Sequence, residues 1–448
     1  MFGIKRNSII RLIIIALILV GYSSLRLIEQ KASSKPVFLN QGDIGAWGPV
    51  QLHLPKDYVE ESLLIVPVIT PATSLMENRI GNVLYYWFSE PATPGSSYTL
   101  NLEVFEDISR TGEKPVTFEW QFTVRTMAVV YLQYTGTGAE LWRTDLDGET
   151  VQRLTQTNNG IIDYDVSPDG NEILFSVKNS QNGADLWRVK RDGSGMQQVI
   201  TCGKDFCSQP DYAPLTEAVV YTRTLSDGST GSSAGMKQVW MLDLHNGENS
   251  YLEVQGSEPD WSPDGSYIAY LGETSGQINI LPLDAGEPIE LPCQSSDLGS
   301  WSADGSTYIY TCLDLETANP FKTIHEFDLS TKSVRPSKIY DILGVKDYST
   351  PVMSPDGQWI VFGERCIQDR PTKQLWLVSA DLESAYQLTE DVRFNHAGYQ
   401  WAPLSKMLVL QRFEMGSSTA RPEVLLWQME TGEFSILAAD AYDPQWLP

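Results

Sequence analysis

The chain has 448 residues, with 32 Lys and Arg residues against 57 Asp and Glu residues, which gives a formal net charge of −25. A chain of this charge repels polyanions, so DNA and RNA are excluded as expected partners. Its 42% hydrophobic and 20% charged residues are typical of globular proteins, and the length allows two or three domains.

The N-terminal segment is predicted to be an apolar helix that directs the chain to a membrane. Lys5, Arg6 and Arg11 precede an apolar run at residues 12–22, which is the arrangement of an export signal. The less strict run at residues 9–27 is long enough to span a bilayer. Residues 1–30 are therefore interpreted as a retained signal anchor, with the bulk of the chain extracytoplasmic, at the cell surface or in the periplasm. The alternative is a cleaved signal peptide, which makes the protein secreted.

Residues 35–125 are predicted to form a β-sandwich, because β-rich runs alternate there with turn residues. The later part carries Pro94-Gly95, Tyr98-Thr99, Gly112 and the closing sequence Trp-Gln-Phe-Thr at 120–123. With these residues the segment resembles the bacterial Ig-like domain of S-layer type. The resemblance implies one sandwich domain, and we expect it to act as a spacer.

A repeated turn sequence predicts the architecture of residues 127–448. It reads SPDG or SADG at 167–170, 262–265, 302–305 and 354–357, and degenerate copies follow three other anchors. The residue before each copy is called its anchor, and successive anchors are 40 to 52 residues apart, the length of a four-stranded propeller blade. The anchors are Val166, Tyr212, Trp261, Trp301, Met353, Trp401 and Trp446.

Seven anchors predict seven blades. Residues 129–156 supply three strands without an anchor, whereas the last anchor has no strand after it. We therefore expect the strand at 443–446 to pair with the strand at 129–134 and close the ring. The predicted fold class is all-β, in which one N-terminal helix and an Ig-like sandwich precede a seven-bladed β-propeller.

The repeat W-S-P-D-G-x-x-I-x-[YF], followed by x-L-W-x-x-x-x-x-x-G, resembles the TolB-like, WD-repeat-like β-propeller family over residues 127–448. The resemblance implies a partner-binding function more than a catalytic one. The periplasmic TolB protein is usually described with six blades, whereas seven are expected here. This difference argues against assigning the partners of TolB to this chain.

The aspartates and glycines of the repeat are predicted to build turns. Pro fixes the φ angle at the first corner of the turn, and the Asp side chain can form a hydrogen bond with the backbone two residues later. Gly adopts the positive φ that closes the hairpin. Their repetition argues against catalytic or calcium-binding roles. These turn residues are Asp169, Gly170, Asp264, Gly265, Asp304, Gly305, Asp356 and Gly357.

The five cysteines allow disulfides in an extracytoplasmic protein. The candidates are Cys202, Cys207, Cys293 and Cys312. Cys202 and Cys207 enclose four residues, so a local link is the simplest pairing, although sequence alone leaves the connectivity open. The alternative is that all five, including Cys366, are free buried thiols.

The candidate binding site is a group of basic residues in the last two blades. In a propeller, the loops from strand two to strand three share one face with the connections between blades, and several of these loops are long here. We expect this face to bind a protein or peptide of the cell envelope through an anionic group, or else to be an ordinary solvated surface. The candidates are Arg365, Arg370, Lys373, Arg393, Arg412 and Arg421, with His396 beside them as a loop hydrogen-bonder.

No catalytic residue, cofactor or metal site is predicted. Four scattered histidines do not favour a transition-metal site, and the length leaves no room for a separate hydrolase domain. The alternative is a calcium-dependent propeller hydrolase that acts on a small or carbohydrate-like substrate in the central channel. Three or more acidic side chains converging in that channel would favour this alternative.

Overall fold

The structure is a computed structural model. It describes residues 35–39, 43–55, 64–80, 83–105, 116–226, 235–295, 297–314, 321–339, 343, 347–365, 372–416 and 420–448. The helix predicted at residues 1–30 lies outside this range. Among the residues described, no helix is long and apolar enough to cross a membrane.

The regular elements with described bounds are strands, so the predicted all-β class is confirmed. The chain divides into two compact units. Of the residues described, the first contains those from 35 to 44, 48 to 90 and 95 to 124, and the second those from 45 to 47, 91 to 94 and 125 to 448.

The first unit contains two four-stranded sheets. One has the strand order β1-β3-β6-β5 and the other β2-β8-β7-β4. Aromatic rings join them, since the Phe88 ring lies 5.5 Å from that of Tyr98 and 6.4 Å from that of Phe122. The strands are β1 (Val37–Phe38), β2 (Asp43–Ile44), β3 (Val50–His53), β4 (Leu64–Thr70), β5 (Leu75–Ile80), β6 (Val83–Phe88), β7 (Ser97–Phe105) and β8 (Val116–Val124).

The second unit repeats one antiparallel arrangement of four strands, numbered here as groups 1 to 7. Group 1 contains β9 (Ala128–Tyr134), β10 (Ala139–Thr144), β11 (Val151–Arg153) and the last strand of the chain. Group 2 contains β12 (Ile161–Val166), β13 (Glu172–Lys178), β14 (Ala184–Lys190) and β15 (Gln197–Ile200). Group 3 contains β16 (Phe206–Tyr212), β17 (Ala218–Thr224), β18 (Lys237–Asp243) and the first half of β19 (Asn249–Trp261).

The second half of β19 continues into group 4. This group also contains β20 (Tyr267–Gly272), β21 (Gln277–Pro282) and β22 (Ile289–Gln294). Group 5 contains β23 (Ser300–Trp301), β24 (Thr307–Asp314), β25 (Phe321–Asp328) and β26 (Ser333–Pro336). Group 6 contains β27 (Asp347–Met353), β28 (Trp359–Arg365), β29 (Lys373–Ser379) and β30 (Ala385–Gln387). Group 7 contains β31 (Phe394–Trp401), β32 (Met407–Glu414), β33 (Glu423–Gln428) and β34 (Phe434–Ala439), and β35 (Ala441–Leu447) returns to group 1.

The pairing predicted between the two ends of the repeat is confirmed. Strand β35 lies antiparallel to β9, with Ala441 opposite Gln133 and Leu447 opposite Ala128. The next junction is held by Gln445, whose side chain accepts the Val166 N–H at 3.2 Å and donates to the Tyr164 carbonyl at 2.9 Å. Group 1 is therefore completed by the last strand and is joined to group 2 by polar contacts.

The SPDG turns share one hydrogen-bonding pattern. In the first copy, the Ser167 hydroxyl and the Asn171 N–H both donate to Asp169 Oδ1, at 2.7 and 3.0 Å. The Gly170 N–H donates to the Ser167 carbonyl, and its φ is +63°. Asp264, Asp304 and Asp356 accept equivalent bonds. This shared geometry accounts for the residues that recur in the motif.

A bulge interrupts the first strand of most groups at the same place. The register shifts between the fourth and the first residue before the anchor in β16, β19, β27, β31 and β35, and between the fifth and the second in β12. The backbone has a positive φ three residues before the anchor at Gln209, Glu258, Thr350, Gly398 and Asp443. Such a bulge redirects a strand locally. At Gln209 and Glu258 the backbone N–H of the bulge donates to a side chain of the preceding group, Asp163 and Gln209 respectively.

Hydrophobic clusters lie between successive groups. One cluster, for example, combines Val361 and Leu377 of group 6 with Trp401 and Leu410 of group 7. Each group thus buries its apolar faces against its neighbours, and this burial is the main stabilising contribution in the second unit.

Two disulfides brace the connections between groups. Cys202, in the connection after β15, is bonded to Cys207 on β16. Cys293 on β22 is bonded to Cys312 on β24 and so joins group 4 to group 5. Cys366 lies outside the described residues.

Candidate functional site

The candidate basic residues lie at one end of groups 6 and 7. Arg365 ends β28, Lys373 begins β29, and Phe394 begins β31 beside Arg393. Arg412 lies two residues before the end of β32. Arg370 and the central residues of the long loops lie outside the described residues. The structure divides the remaining candidates into two clusters and one separate ion pair.

The first cluster combines basic and acidic side chains of groups 5 and 6. Arg365 and Lys373 are opposite each other across β28 and β29, and Arg365 Nε lies 3.6 Å from Asp347 Oδ2. Lys322 Nζ lies 2.6 Å from Asp297 Oδ2. Burial lowers the pKa of Lys373, and the positive charges of Arg365 and Lys322 lower it further, whereas the carboxylates of Asp297 and Asp347 oppose this change.

The second cluster is built around the Phe394 ring. The guanidinium carbons of Arg412 and Arg393 lie 4.3 and 5.5 Å from the centre of this ring. Each guanidinium is held by a carboxylate: Arg412 donates to Glu423 at 2.8 Å and Arg393 to Asp391 at 2.6 Å. The aromatic ring and the two carboxylates fix both arginines in place before any partner binds.

The remaining two candidates have different environments. His396 is only 4% exposed, and its Nδ1 lies 3.1 Å from the Lys373 carbonyl oxygen. Burial lowers the pKa of His396, so its neutral form is favoured at neutral pH. Arg421 is well exposed and pairs with Asp440 at 3.2 Å. His396 therefore has a structural environment, whereas Arg421 remains on the surface.

Sequence reasoning missed Lys322, Asp297, Asp347 and Phe394 as members of these clusters. Asp347 was detectable in principle, because it is opposite Arg365 in the register of β27 and β28. Lys322 comes from group 5 and Asp297 from the connection between groups 4 and 5, and only packing against group 6 brings them to the site.

A second concentration of charge lies on the first strands of groups 2 to 4 and on β35. Asp163, Asp165, Asp211, Asp260 and Asp443 influence one another electrostatically, and all are partly enclosed. Asp163 Oδ2 accepts the Gln209 N–H at 2.9 Å, Asp165 Oδ2 the Tyr212 N–H at 2.8 Å, and Asp211 Oδ2 the Trp261 N–H at 2.7 Å. These carboxylates thus link each group to the next through backbone amides.

Burial raises the pKa of this set. The pKa is raised to about 7 for Asp163, Asp165 and Asp260, and to about 6 for Asp443. It is raised well above the usual value for Asp211, where the charges of Asp165 and Asp260 add to the effect of burial. Among the residues described, no group of three His, Cys, Asp or Glu side chains is arranged to hold a metal ion. The acidic side chains converge, but at least three of them use an oxygen to bind a backbone amide.

Known proteins share the fold of this part of the chain. The sequence model of the TolB beta propeller domain matches residues 121–405. The uncharacterized peptidase YuxL of Bacillus subtilis (strain 168) is 23% identical over 191 residues, which cover 35% of this chain and 29% of that protein. The chain therefore spans less than a third of the length of this curated relative.

Two solved structures illustrate the similarity. TolB from Acinetobacter baumannii is 11% identical, with a TM-score of 0.44, and the match covers 85% of this chain and 83% of that chain. A prolyl endopeptidase is 11% identical, with a TM-score of 0.51, and the match covers 84% of this chain and 50% of that chain. At this level of identity the likeness concerns the fold alone.

Proposed function

Because the chain belongs to the TolB beta propeller domain family, we propose that it is an extracytoplasmic binding protein whose propeller engages a protein or peptide of the cell envelope. In this proposal groups 1 to 7 are the blades of a seven-bladed ring, and residues 35–125 are an Ig-like spacer. Residues 1–30 tether the protein to the membrane. If they are cleaved, the protein is secreted.

The preorganised arginine pair at Phe394 carries this proposal. A ligand that binds Arg393 and Arg412 meets guanidinium groups whose positions are already fixed by Phe394, Asp391 and Glu423. The entropy cost of ordering two long side chains is then largely absent from binding. Their N–H groups are suited to carboxylates, so an acidic segment of a partner fits this surface.

The test is affinity capture with the full-length protein in detergent. The bait is the unaltered chain, the double variant Arg393→Ala, Arg412→Ala, or Arg335→Ala as the control. Arg335 is well exposed, as Arg393 is, and it is paired with a glutamate, Glu326, as Arg412 is, but it lies on β26 of group 5. We expect a specific envelope protein to be captured by the unaltered chain and the control, and at least about tenfold less by the double variant.

The melting temperature of each bait is measured first, so that loss of capture is compared among folded proteins. Equal capture by the double variant and the unaltered chain would reject the loop-face site.

A calcium-dependent hydrolase is the second candidate, and the convergence of five aspartates on neighbouring first strands favours it. Hydrogen bonds from backbone amides to Asp163, Asp165 and Asp211 oppose it, because each uses an oxygen that a calcium ion would need. Thermal unfolding with and without millimolar calcium separates the two candidates. An increase in Tm that Asp163→Asn abolishes would favour the hydrolase.

A further inference from the structure

An apolar groove lies between groups 6 and 7, at the end of the strands opposite the arginine site. Its volume is about 410 Å³. Trp359, at the start of β28, and Tyr386, on β30, form one wall, and their ring centres are 6.2 Å apart. Trp427 and Met429, beside the turn after β33, line the other side.

The equivalent groove between groups 2 and 3 provides an internal comparison. It has a volume of about 230 Å³ and is lined by residues that include Arg188, Gln197 and Leu242. The strand registers place Leu377 where the other groove has Arg188, and Tyr386 where it has Gln197. The position of Trp359 is occupied by Glu172, since both begin the second strand of their group.

The two grooves differ in the residues at three equivalent positions. Between groups 2 and 3, Arg188 and Glu172 form an ion pair at 3.2 Å. At the corresponding positions of group 6, Leu377 and Trp359 are apolar, and Tyr386 leaves 53% of its surface exposed. A partly exposed ion pair is thus replaced by apolar groups. Leu377 packs into the hydrophobic cluster between groups 6 and 7, whereas Tyr386 remains exposed. An apolar groove with an exposed aromatic side chain at its edge is typical of a binding surface.

The turns beside the groove carry negative charge. Asp381 and Glu383 lie in the turn that leads to Tyr386, and Glu430 and Glu433 lie in the turn that follows Trp427. All four are exposed, and none forms an ion pair within the described part of the chain. The nearby cation is Lys406, whose carbonyl oxygen accepts the Met429 N–H. The rim therefore attracts positive charge, while the groove itself favours an apolar group.

We propose that this groove binds a peptide segment of a partner that inserts one large apolar side chain and carries Lys or Arg residues on both sides of it. The apolar side chain packs against Trp359, Tyr386 and Trp427, and the flanking cations meet the carboxylates of the two turns. The surface is separate from the arginine site, which favours acidic segments, so the two sites select partners of opposite charge.

The test measures binding of a fluorescein-labelled peptide, GKKFKKG, to the full-length protein by fluorescence anisotropy. We expect saturable binding that weakens at least about tenfold when the peptide Phe is replaced by Ala, because burial of this ring supplies most of the affinity. The triple variant Trp359→Glu, Leu377→Arg, Tyr386→Gln copies the groove between groups 2 and 3, and it should weaken binding by a similar factor. If the triple variant does not fold, as judged by its melting curve, the single variant Tyr386→Gln at the exposed position replaces it.

Two further variants make the test specific. The variant Asp381→Lys, Glu383→Lys, Glu430→Lys, Glu433→Lys should weaken binding and remove its salt dependence. Arg412→Ala, at the arginine site, should leave binding of this peptide unchanged, so that failure of the groove and failure of the loop-face proposal are distinguishable.

Three results would overturn the proposal. The first is equal affinity for GKKFKKG and GKKAKKG. The second is saturable binding of neutral maltohexaose that depends on Trp359 and is insensitive to the charge reversals, which would assign the groove to a sugar. The third is self-association, detected by sedimentation, that Tyr386→Gln abolishes, which would assign the groove to a second copy of the chain.

Discussion

At the scale of single residues, Gly170 has two requirements that a larger residue does not meet. Its φ of +63° lies in the region that L-residues with a Cβ rarely occupy. A Cβ at this position would also overlap the carbonyl oxygen of Pro448, in the strand end that completes group 1. The glycine of the first SPDG turn is therefore required both by the turn and by the junction with the C-terminal strand.

Gly170→Ala is expected to lower the free energy of unfolding by about 2–4 kcal/mol, since the overlap adds to the backbone cost. Gly276→Ala is the matched control, because Gly276 has the same φ of +63° and open space around its Cβ position. The control should lose only about 1–2 kcal/mol. Urea unfolding measures both, and equal losses would mean that the junction with Pro448 adds nothing.

The aspartates of the first strands predict how stability depends on pH. Their pKa values are raised in the folded protein, so the folded state binds more protons than the unfolded state between about pH 4 and pH 7. Their contribution to stability is therefore complete below about pH 4 and is lost as the pH rises through about 7.

Asp260→Asn is expected to raise the free energy of unfolding at pH 7.5 by at least about 1 kcal/mol, because it removes a charge that burial disfavours. The same variant should have little effect at pH 4, where Asp260 is protonated in the folded protein. Asp192→Asn is the control: its pKa is lowered by hydrogen bonds from Ser194, so its effect has the opposite sign. A stabilisation by Asp260→Asn that is equal at both pH values would contradict the prediction.

At the scale of elements, the two disulfides connect parts of the chain at different distances. Cys202 and Cys207 are five residues apart and enclose one turn between groups 2 and 3. Cys293 and Cys312 are 19 residues apart and join strands of two different groups. The longer link restricts the unfolded chain more strongly.

Cys293→Ser with Cys312→Ser is expected to lower the free energy of unfolding by about 3 kcal/mol, and Cys202→Ser with Cys207→Ser by about 2 kcal/mol. Chemical unfolding of both double variants, compared with the oxidised protein, measures the difference. A larger loss for the pair at Cys202 would show that local strain, and not chain restriction, determines the contribution of each link.

Much of the element pattern was predictable from the sequence, because the turn repeat determines it. Ser, Asp and Gly keep fixed places in the four clear copies of the SPDG motif, so it recurs visibly and marks where the second strand of those groups begins. The bulges were not predictable, because Gln209, Glu258, Thr350 and Asp443 share a backbone conformation and no side-chain type. The members of the basic clusters were predictable only in part, since Lys322 reaches the site through packing between groups.

At the scale of the whole molecule, the second unit depends on the pairing of β35 with β9. Strand β35 covers β9, contains the buried residues Trp446 and Leu447, and places Gln445 against group 2. Without it, β9 would expose an unpaired edge with the apolar residues Val129 and Val130 behind it.

A chain that ends at residue 440 is therefore expected to aggregate or to melt at least about 10 °C lower, since several kcal/mol of buried apolar contact is removed. Gln445→Ala is the milder comparison, because it keeps the strand and removes only its hydrogen bonds to group 2. Differential scanning calorimetry measures both. A truncated chain that melts like the full protein would show that closure contributes little to stability.

The same pairing also sets an order of events during synthesis. Gln133, on β9, lies opposite Ala441, on β35, which is 308 residues further along the chain (441 − 133 = 308). At about 5–20 residues per second, the ribosome needs on the order of 15 to 60 s to make the intervening segment. For that time the first three strands of group 1 have no fourth strand, so the nascent chain is most vulnerable to wrong pairing at its earliest propeller strand.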